Sequence, residues 1–365
     1  MIRRTTLLLL SLLWVSLSLS AEVLERSVLY RSVDQHGDSL TVSGRLMVPQ
    51  NSTPRGIILM PHYTIFSNQE APSNQPTHDA KALRDKYVIL QPDFVGYGAT
   101  GDRAHPYLHS DVAARNTVDL YLAMLPVLDT MALGIALDSV YIVGYSQGGV
   151  SAVWTLKLIE EEYADRIHVI HCYAGGGPYD VATTYDLSMS RPKYVAPMLI
   201  PLLLLGTSAA YDLDLQQDFF FTPAMQKAYA RWIEPKTFKP QDIYFHMLNR
   251  NLKHWLKPEA RDKSQPQTQK LYSGLLRSSL VHYPVVEGET DTIVPTWKPK
   301  SPLYIFHSIN DDVVSILCAQ HLQRCFADAP NITWDFGKYG PHIKASRVFV
   351  ARMREILIGA DPTKK

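Results

Sequence analysis

The first part of the chain interleaves apolar and polar residues in a pattern typical of β-strands. Residues 23–33 and 40–48 carry this pattern, and the sequence DQHGD between them supplies turn-forming residues, so the two segments predict a hairpin. Three later runs are more continuously apolar, which is typical of strands buried inside a parallel sheet. These runs are residues 56–60, 87–90 and 140–144.

Helical spacing of apolar residues alternates with strand patterns through much of the chain. Helices are predicted at 110–128, with Ser110 as the cap, from near Gly148 onwards, and at 315–326 and 344–358. Further strands are predicted at 166–173, 303–307 and 332–335. Alternating strands and helices predict an α/β fold, with a mostly parallel sheet that helices cover on both faces.

Residues 179–300 interrupt this pattern. They contain helix-like segments, prolines and aromatic residues but no clear strand, so we expect a helical cap inserted after strand six. The core domain would then comprise residues 21–178 and 301–365. Within the insertion, residues 195–206 are apolar and broken by Pro197 and Pro201, which argues against a membrane span. They fit either a cap helix buried on the core or a wall that binds acyl groups.

The N-terminus carries two arginines, a leucine-rich run and then small residues. This pattern predicts a signal peptide at residues 1–20, cleaved after Ser20, and hence a secreted or periplasmic protein. The alternative is an uncleaved membrane anchor, which the short apolar run disfavours. We therefore expect no stable membrane span in the mature chain.

Composition and charge exclude several classes of function. The chain of 365 residues is 46% hydrophobic with a net charge of +1, so nothing indicates nucleic acid as a partner. Cys318 and Cys325 fall in one predicted helix about 10 Å apart, too far for a bridge within it. Cys172 reads as a core residue. The cysteines and histidines show no metal-ligand spacing, and no cofactor is expected.

The stretch GYSQGG, residues 144–149, joins a predicted strand to a predicted helix. A serine on such a strained turn, with glycines where side chains would collide with the strand and helix, fits a catalytic nucleophile. Taken alone, the same letters also fit a tight strand–helix turn without chemistry.

Three further motifs narrow this choice: PHYT after the third strand, PDFVGYG after the fourth, and the late pair HSINDDVV and YGPH. Together with GYSQGG they resemble the α/β-hydrolase superfamily, and within it the secreted bacterial lipases and esterases. The resemblance covers the chain apart from the signal peptide and the insertion. It implies a catalytic triad in the chain order nucleophile, acid, histidine.

The resemblance assigns a role to each motif. Ser146 would be the nucleophile and His342, in the turn before the last helix, the general base. Asp311 matches the position of the acid better than Asp312, which would more naturally favour the N-terminus of the following helix. The backbone N–H groups of Gln147 and Thr64 would form the oxyanion hole.

Four residues are expected to contact substrate: Tyr63, Tyr145, Met198 and Leu202. Tyr63 stands where glycine is usual in relatives, which leaves it open as an alternative oxyanion donor. The favoured function is a secreted hydrolase of carboxylic esters, with an ester or lipid-like substrate. A serine peptidase and a non-catalytic binding protein on the same fold are the alternatives. The sequence does not fix the oligomeric state.

Overall fold

A computed structural model describes residues 23–359, and the predicted signal peptide lies outside these residues. Eight strands form one sheet. Their bounds are β1 (Val23–Val33), β2 (Ser39–Pro49), β3 (Ile57–Leu59), β4 (Val88–Pro92), β5 (Ser139–Tyr145), β6 (His168–Gly175), β7 (Leu303–Ser308) and β8 (Ile332–Gly337).

The order of strands across the sheet is β1-β2-β4-β3-β5-β6-β7-β8. The β1–β2 hairpin is antiparallel, and β2 pairs antiparallel with β4. All other neighbours pair parallel. The structure therefore confirms a mostly parallel sheet with an antiparallel edge. It also brings the carboxyl ends of β5, β7 and β8 to one edge of the sheet, where ligand sites of parallel sheets lie.

Within residues 23–359, twelve α-helices accompany the strands, along with short 3-10 and π-helical turns. They are α1 (His78–Lys81), α2 (Ser110–Thr130), α3 (Gln147–Glu162), α4 (Val181–Ser190), α5 (Leu199–Tyr211), α6 (Gln217–Phe220), α7 (Pro223–Ala228), α8 (Pro240–His246), α9 (Leu252–Trp255), α10 (Pro266–Ser278), α11 (Ile316–Cys325) and α12 (His342–Ile358). None of the helices within residues 23–359 is both long and apolar enough to cross a membrane.

Both faces of the sheet are covered. Helices α2 and α3 pack against each other on one face, where Val118, Val153 and Ile142 belong to the larger apolar core. On the other face α12 packs on β6 and β7, and Phe349 and Phe306 belong to a second core. This two-sided burial explains the continuous apolar runs in the central strands.

The seven helices α4 to α10 lie in the chain between β6 and β7, and no named strand falls among them. The segment contacts the part of the chain that follows β7, since α4 contacts α11. Asp180, at the N-cap of α4, also accepts hydrogen bonds from His282 of the insertion and from His321 of α11 at 2.9 and 2.7 Å. These contacts join the start of α4 to the segment around His282 and to α11.

The start of α2 differs from the prediction. Ser110 is the first helical residue, and His109 occupies the N-cap position, where its Nδ1 accepts the Val112 N–H. The imidazole nitrogen replaces the serine hydroxyl that normally accepts this bond. Helix α12 begins at His342, two residues earlier than predicted, directly after Pro341. The predicted base therefore sits in the first turn of that helix.

Candidate active site

Ser146 stands between β5 and α3 with a left-handed backbone, φ 59° and ψ −122°. Positive φ is costly for a residue with a side chain, and such strain is typical of functional sites. The turn is held because the Ser146 N–H donates to the carbonyl of Gly175 at 2.8 Å. Half-buried Ser146 thus presents its hydroxyl at the carboxyl end of the sheet.

The glycines around Ser146 are required by close backbone packing. A Cβ on Gly144 would collide with the carbonyl oxygen of Gly148, and one on Gly148 would collide with that of Pro61. The second of these contacts joins the first turn of α3 to the loop 61–64. The sequence prediction placed the collisions at the neighbouring strand and helix; the structure adds this loop.

His342 connects the serine to an acid. Its Nε2 lies 2.8 Å from Ser146 Oγ, and its Nδ1 lies 2.6 Å from Asp311 Oδ2. Because a carboxylate only accepts, Nδ1 carries a proton and donates to Asp311, which leaves Nε2 free to accept the serine O–H. His342 and Asp311 are both buried. The arrangement can therefore move a proton from the serine to the imidazole.

Asp311 is held as a carboxylate. Its Oδ1 accepts the backbone N–H groups of Val313 and Val314 at 2.9 and 2.8 Å, which reserves Oδ2 for His342. Burial alone would raise the pKa of Asp311, but the charge and hydrogen bond of His342, with the backbone donors, hold it below its ordinary value.

Asp312 has a different task from the one expected. Its Oδ1 accepts the backbone N–H of His342 at 3.0 Å, so it caps α12, whereas the sequence pointed to the helix that follows it directly, α11. This bond to the backbone of His342 holds the start of α12 in place. The imidazole side chain of His342 bonds to Asp311 and not to Asp312.

Tyr145 directly precedes the serine in the chain, and its ring centroid lies 5.1 Å from that of His342. Its hydroxyl donates to the His342 carbonyl at 2.9 Å, and its ring packs on Phe349. Tyr145 is buried and does not line the cavity at Ser146, contrary to the expected substrate contact. Its phenol supports the turn that carries the histidine.

Of the residues predicted for the oxyanion hole, Gln147 lines the cavity at Ser146, whereas Thr64 does not line it. Gln147 is the first residue of α3, so its N–H has no acceptor within the helix. Thr64 lies in the loop that packs on this turn, and its hydroxyl pairs with that of Tyr107 at 2.8 Å. Tyr63 packs instead with Ile65, Ala71 and Tyr97, outside the cavity. Burial raises the pKa of Tyr63 to about 12.

A cavity of about 720 Å³, part of it open to solvent, begins at Ser146. Its wall is mostly apolar and comes largely from α4, α5 and the loop between β7 and α11. Helix α5 contributes Leu199, Ile200, Leu203 and Leu204. Met198 and Leu202, the two residues predicted from this tract, do not line the cavity. At 100° per residue they project on a different face of the helix.

No protein-family model and no curated protein sequence matches this chain. Solved structures do. An esterase from Xanthomonas oryzae that degrades rice cell wall has a TM-score of 0.75 at 22% identity, covering 92% of this chain and 89% of the other. A putative hydrolase from Legionella pneumophila has a TM-score of 0.75 at 17% identity, covering 94% and 90%. Lipase A from Candida antarctica, in its closed state, has a TM-score of 0.65 at 17% identity, covering 92% and 78%.

The chain has the α/β-hydrolase fold. This confirms the fold that the resemblance implied. Further residues line the cavity without any signal in the sequence, among them Tyr107, Thr184, Tyr185 and Tyr194. They come from separate segments, and only the packing of the insertion on the core brings them together. Within the described residues, no cluster of three or more histidine, cysteine, aspartate or glutamate side chains is placed to hold a metal.

Proposed function

We propose that the protein is a serine hydrolase of carboxylic esters that works through an acyl-enzyme. The observation that carries the proposal is the continuous hydrogen-bonded series Ser146–His342–Asp311, with spacings of 2.8 and 2.6 Å. A serine hydroxyl is a weak nucleophile at neutral pH, and a base held in the right tautomer by an acid is the arrangement that activates it.

The reaction follows from these contacts. Ser146 Oγ bonds to the ester carbonyl carbon while its proton moves to His342 Nε2, and Asp311 stabilises the resulting imidazolium. The carbonyl oxygen becomes an anion that the N–H groups of Gln147 and Thr64 stabilise. The carbon–oxygen bond to the alcohol breaks, and the alcohol leaves with the proton from His342. Water, activated by His342, then hydrolyses the acyl-enzyme and releases the acid.

The cavity favours esters with a hydrocarbon part. Its mostly apolar wall suits an acyl or alkyl group. The esterase and the lipase to which the chain is similar in fold are ester hydrolases by name, which supports the same bond class here. Residues 179–300 would serve as a cap, since α4 and α5 form much of the wall.

The test compares the rates at which the protein hydrolyses p-nitrophenyl butyrate, an ester, and the matching p-nitroanilide, an amide. We expect the ester to be cleaved and Ser146→Ala to lower kcat at least about 10³-fold. A fluorophosphonate should label wild type and leave Ser146→Ala unlabelled. The control is Ser151→Ala, farther along α3. Within the described residues, the buried hydroxyl of Ser151 has no hydrogen-bond partner, so its removal should not affect the reaction. Faster anilide cleavage would favour a peptidase, and an unlabelled, inactive wild type would refute the proposal.

We further propose that the protein is exported and loses residues 1–20. The support is the sequence of that segment alone, with its arginines, leucine-rich run and small residues before Ala21. N-terminal sequencing of the exported protein should begin at Ala21. Retention of the segment together with recovery in the membrane fraction would instead identify an anchor.

A further inference from the structure

The two N–H groups of the proposed oxyanion hole belong to separate elements. Gln147 opens α3, and Thr64 lies in the loop after β3. Such donors act only when both point at the same developing charge, so their spacing must be fixed before the reaction. The contact of Gly148 with Pro61 fixes the backbones on one side. Residues 105–107 provide a second connection between the two elements that carry Gln147 and Thr64. The inference drawn from this connection rests on the proposed function.

His105 contacts the first of these elements. Its Nε2 lies 2.9 Å from the Gln147 side-chain Nε2, and its Nδ1 lies 2.6 Å from the Val95 carbonyl. Since a carbonyl only accepts, the proton is on Nδ1, and Nε2 accepts from the Gln147 amide. Burial lowers the pKa of His105 to about 3, so the ring remains neutral and keeps this tautomer.

Tyr107 contacts the second element. Its hydroxyl pairs with that of Thr64 at 2.8 Å. Burial raises the pKa of Tyr107 to about 12, so the phenol keeps its proton and the pair stays a neutral hydrogen bond. His105 and Tyr107 are themselves joined, because the Tyr107 N–H donates to the His105 carbonyl at 2.8 Å. His105 and Tyr107, two residues of one short segment, therefore contact the two residues of the proposed oxyanion hole, Gln147 and Thr64.

The segment is held from both sides. A Cβ on Gly96 would come within 2.5 Å of the His105 Cα, so His105 is seated directly on the loop after β4. From the insertion, Gly206 of α5 approaches Tyr107 so closely that a Cβ there would lie 2.5 Å from the Tyr107 Cβ. A segment packed this tightly can transmit a fixed spacing to its hydrogen-bond partners.

We propose that residues 105–107 set the spacing of the two oxyanion donors, with His105 and Tyr107 as positioning residues for Gln147 and Thr64. Neither residue needs to touch the ester. Loss of either hydrogen bond lets one donor drift, which weakens stabilisation of the tetrahedral intermediate and leaves binding of the uncharged ester unchanged. The expected signature is a loss in kcat at constant KM.

The experiment compares Tyr107→Phe, Thr64→Val and the double variant on p-nitrophenyl butyrate. Each single variant should lower kcat about tenfold. The double variant should be no slower than the worse single, because both remove the same bond. KM should stay within about twofold. The inhibition constant of an alkyl boronic acid, which adds to Ser146 and mimics the tetrahedral state, should rise by the factor by which kcat falls.

Two controls separate positioning from loss of stability. Tyr87→Phe removes a buried hydroxyl that donates to the Leu357 carbonyl at 2.9 Å away from the site, and should lower Tm with no change in kcat. His105→Gln keeps an acceptor for the Gln147 amide and should retain more activity than His105→Phe, which has none.

An unchanged kcat in Tyr107→Phe, additive losses in the double variant, or a rise in KM at constant kcat would each overturn the proposal; the last would make the phenol a substrate contact. These outcomes differ from failure of the proposed function. In that case wild type would not hydrolyse esters, or Ser146→Ala would remain active.

Discussion

His342 Nε2 lies 2.8 Å from Ser146 Oγ although 196 positions separate the two residues in the chain. They meet because the loops that carry the serine, Asp311 and the histidine follow β5, β7 and β8, which lie in that order within one parallel part of the sheet. The pairing of these strands therefore brings Ser146 and His342 together. The local sequence around each residue determines only how its side chain is oriented.

The first prediction separates the two adjacent aspartates. Asp311→Asn should lower kcat by about 10³- to 10⁴-fold, because an amide can no longer hold the imidazole in the tautomer that accepts from serine. Asp312→Asn should lower kcat less than tenfold and mainly reduce Tm, since it weakens only a helix cap worth about 1 kcal/mol. Steady-state kinetics and thermal unfolding of both variants provide the measurement. Equal losses of kcat would contradict the division of roles.

The second prediction concerns the contact between α3 and the loop 61–64. Gly148→Ala should lower kcat at least about tenfold, because the new methyl group displaces the Pro61 carbonyl and with it the loop that carries Thr64. Ser151→Ala on the same helix should leave kcat unchanged. The two variants are compared on one ester at equal folded fraction, measured by circular dichroism. Normal turnover in Gly148→Ala would mean that the loop does not contribute to the reaction.

The fold could be predicted from the sequence, and the three residues of the proposed triad could be named from it, because each depends on local signals next to a strand. The glycines around Ser146, the late histidine at the start of α12 and the acid after β7 all carry such signals. The sequence also predicted most strand bounds to within about two residues. It misjudged the start of α2, where an imidazole nitrogen of His109 replaces the usual hydroxyl cap.

The rest of the site depends on contacts between distant segments. Tyr145 meets the His342 carbonyl across 197 positions, and Tyr107 meets Thr64 across 43. Periodicity and motifs describe residues that are near one another in the chain, so they do not identify such distant pairs. The cavity face of α5 was missed for a related reason: the tract is apolar on all sides, so its pattern does not indicate which side faces the serine.

The third prediction follows from a buried carboxyl. Burial raises the pKa of Asp79 from 3.8 to about 7. Between these values the folded state keeps a proton that the unfolded state has lost, so stability falls as pH rises, by about 1.4 kcal/mol per pH unit at most. Asp79→Asn removes this dependence. The variant should gain stability over wild type as pH rises from 5 to 8, as measured by urea unfolding. A constant difference across this range would contradict the raised pKa.

The last prediction uses two neighbouring leucines of α5. Leu203 lines the cavity and Leu202 does not, although both are half-buried. Leu203→Asn should weaken longer-chain esters more than acetate, because each methylene that loses an apolar contact costs up to about 0.8 kcal/mol. Leu202→Asn should change all chain lengths by one factor. The measurement is kcat/KM over a series of p-nitrophenyl esters from acetate to dodecanoate, with Tm recorded for each variant. A chain-length effect in Leu202→Asn but not in Leu203→Asn would mean that the acyl group lies against the other face of α5, and no effect in either would place it on the core domain.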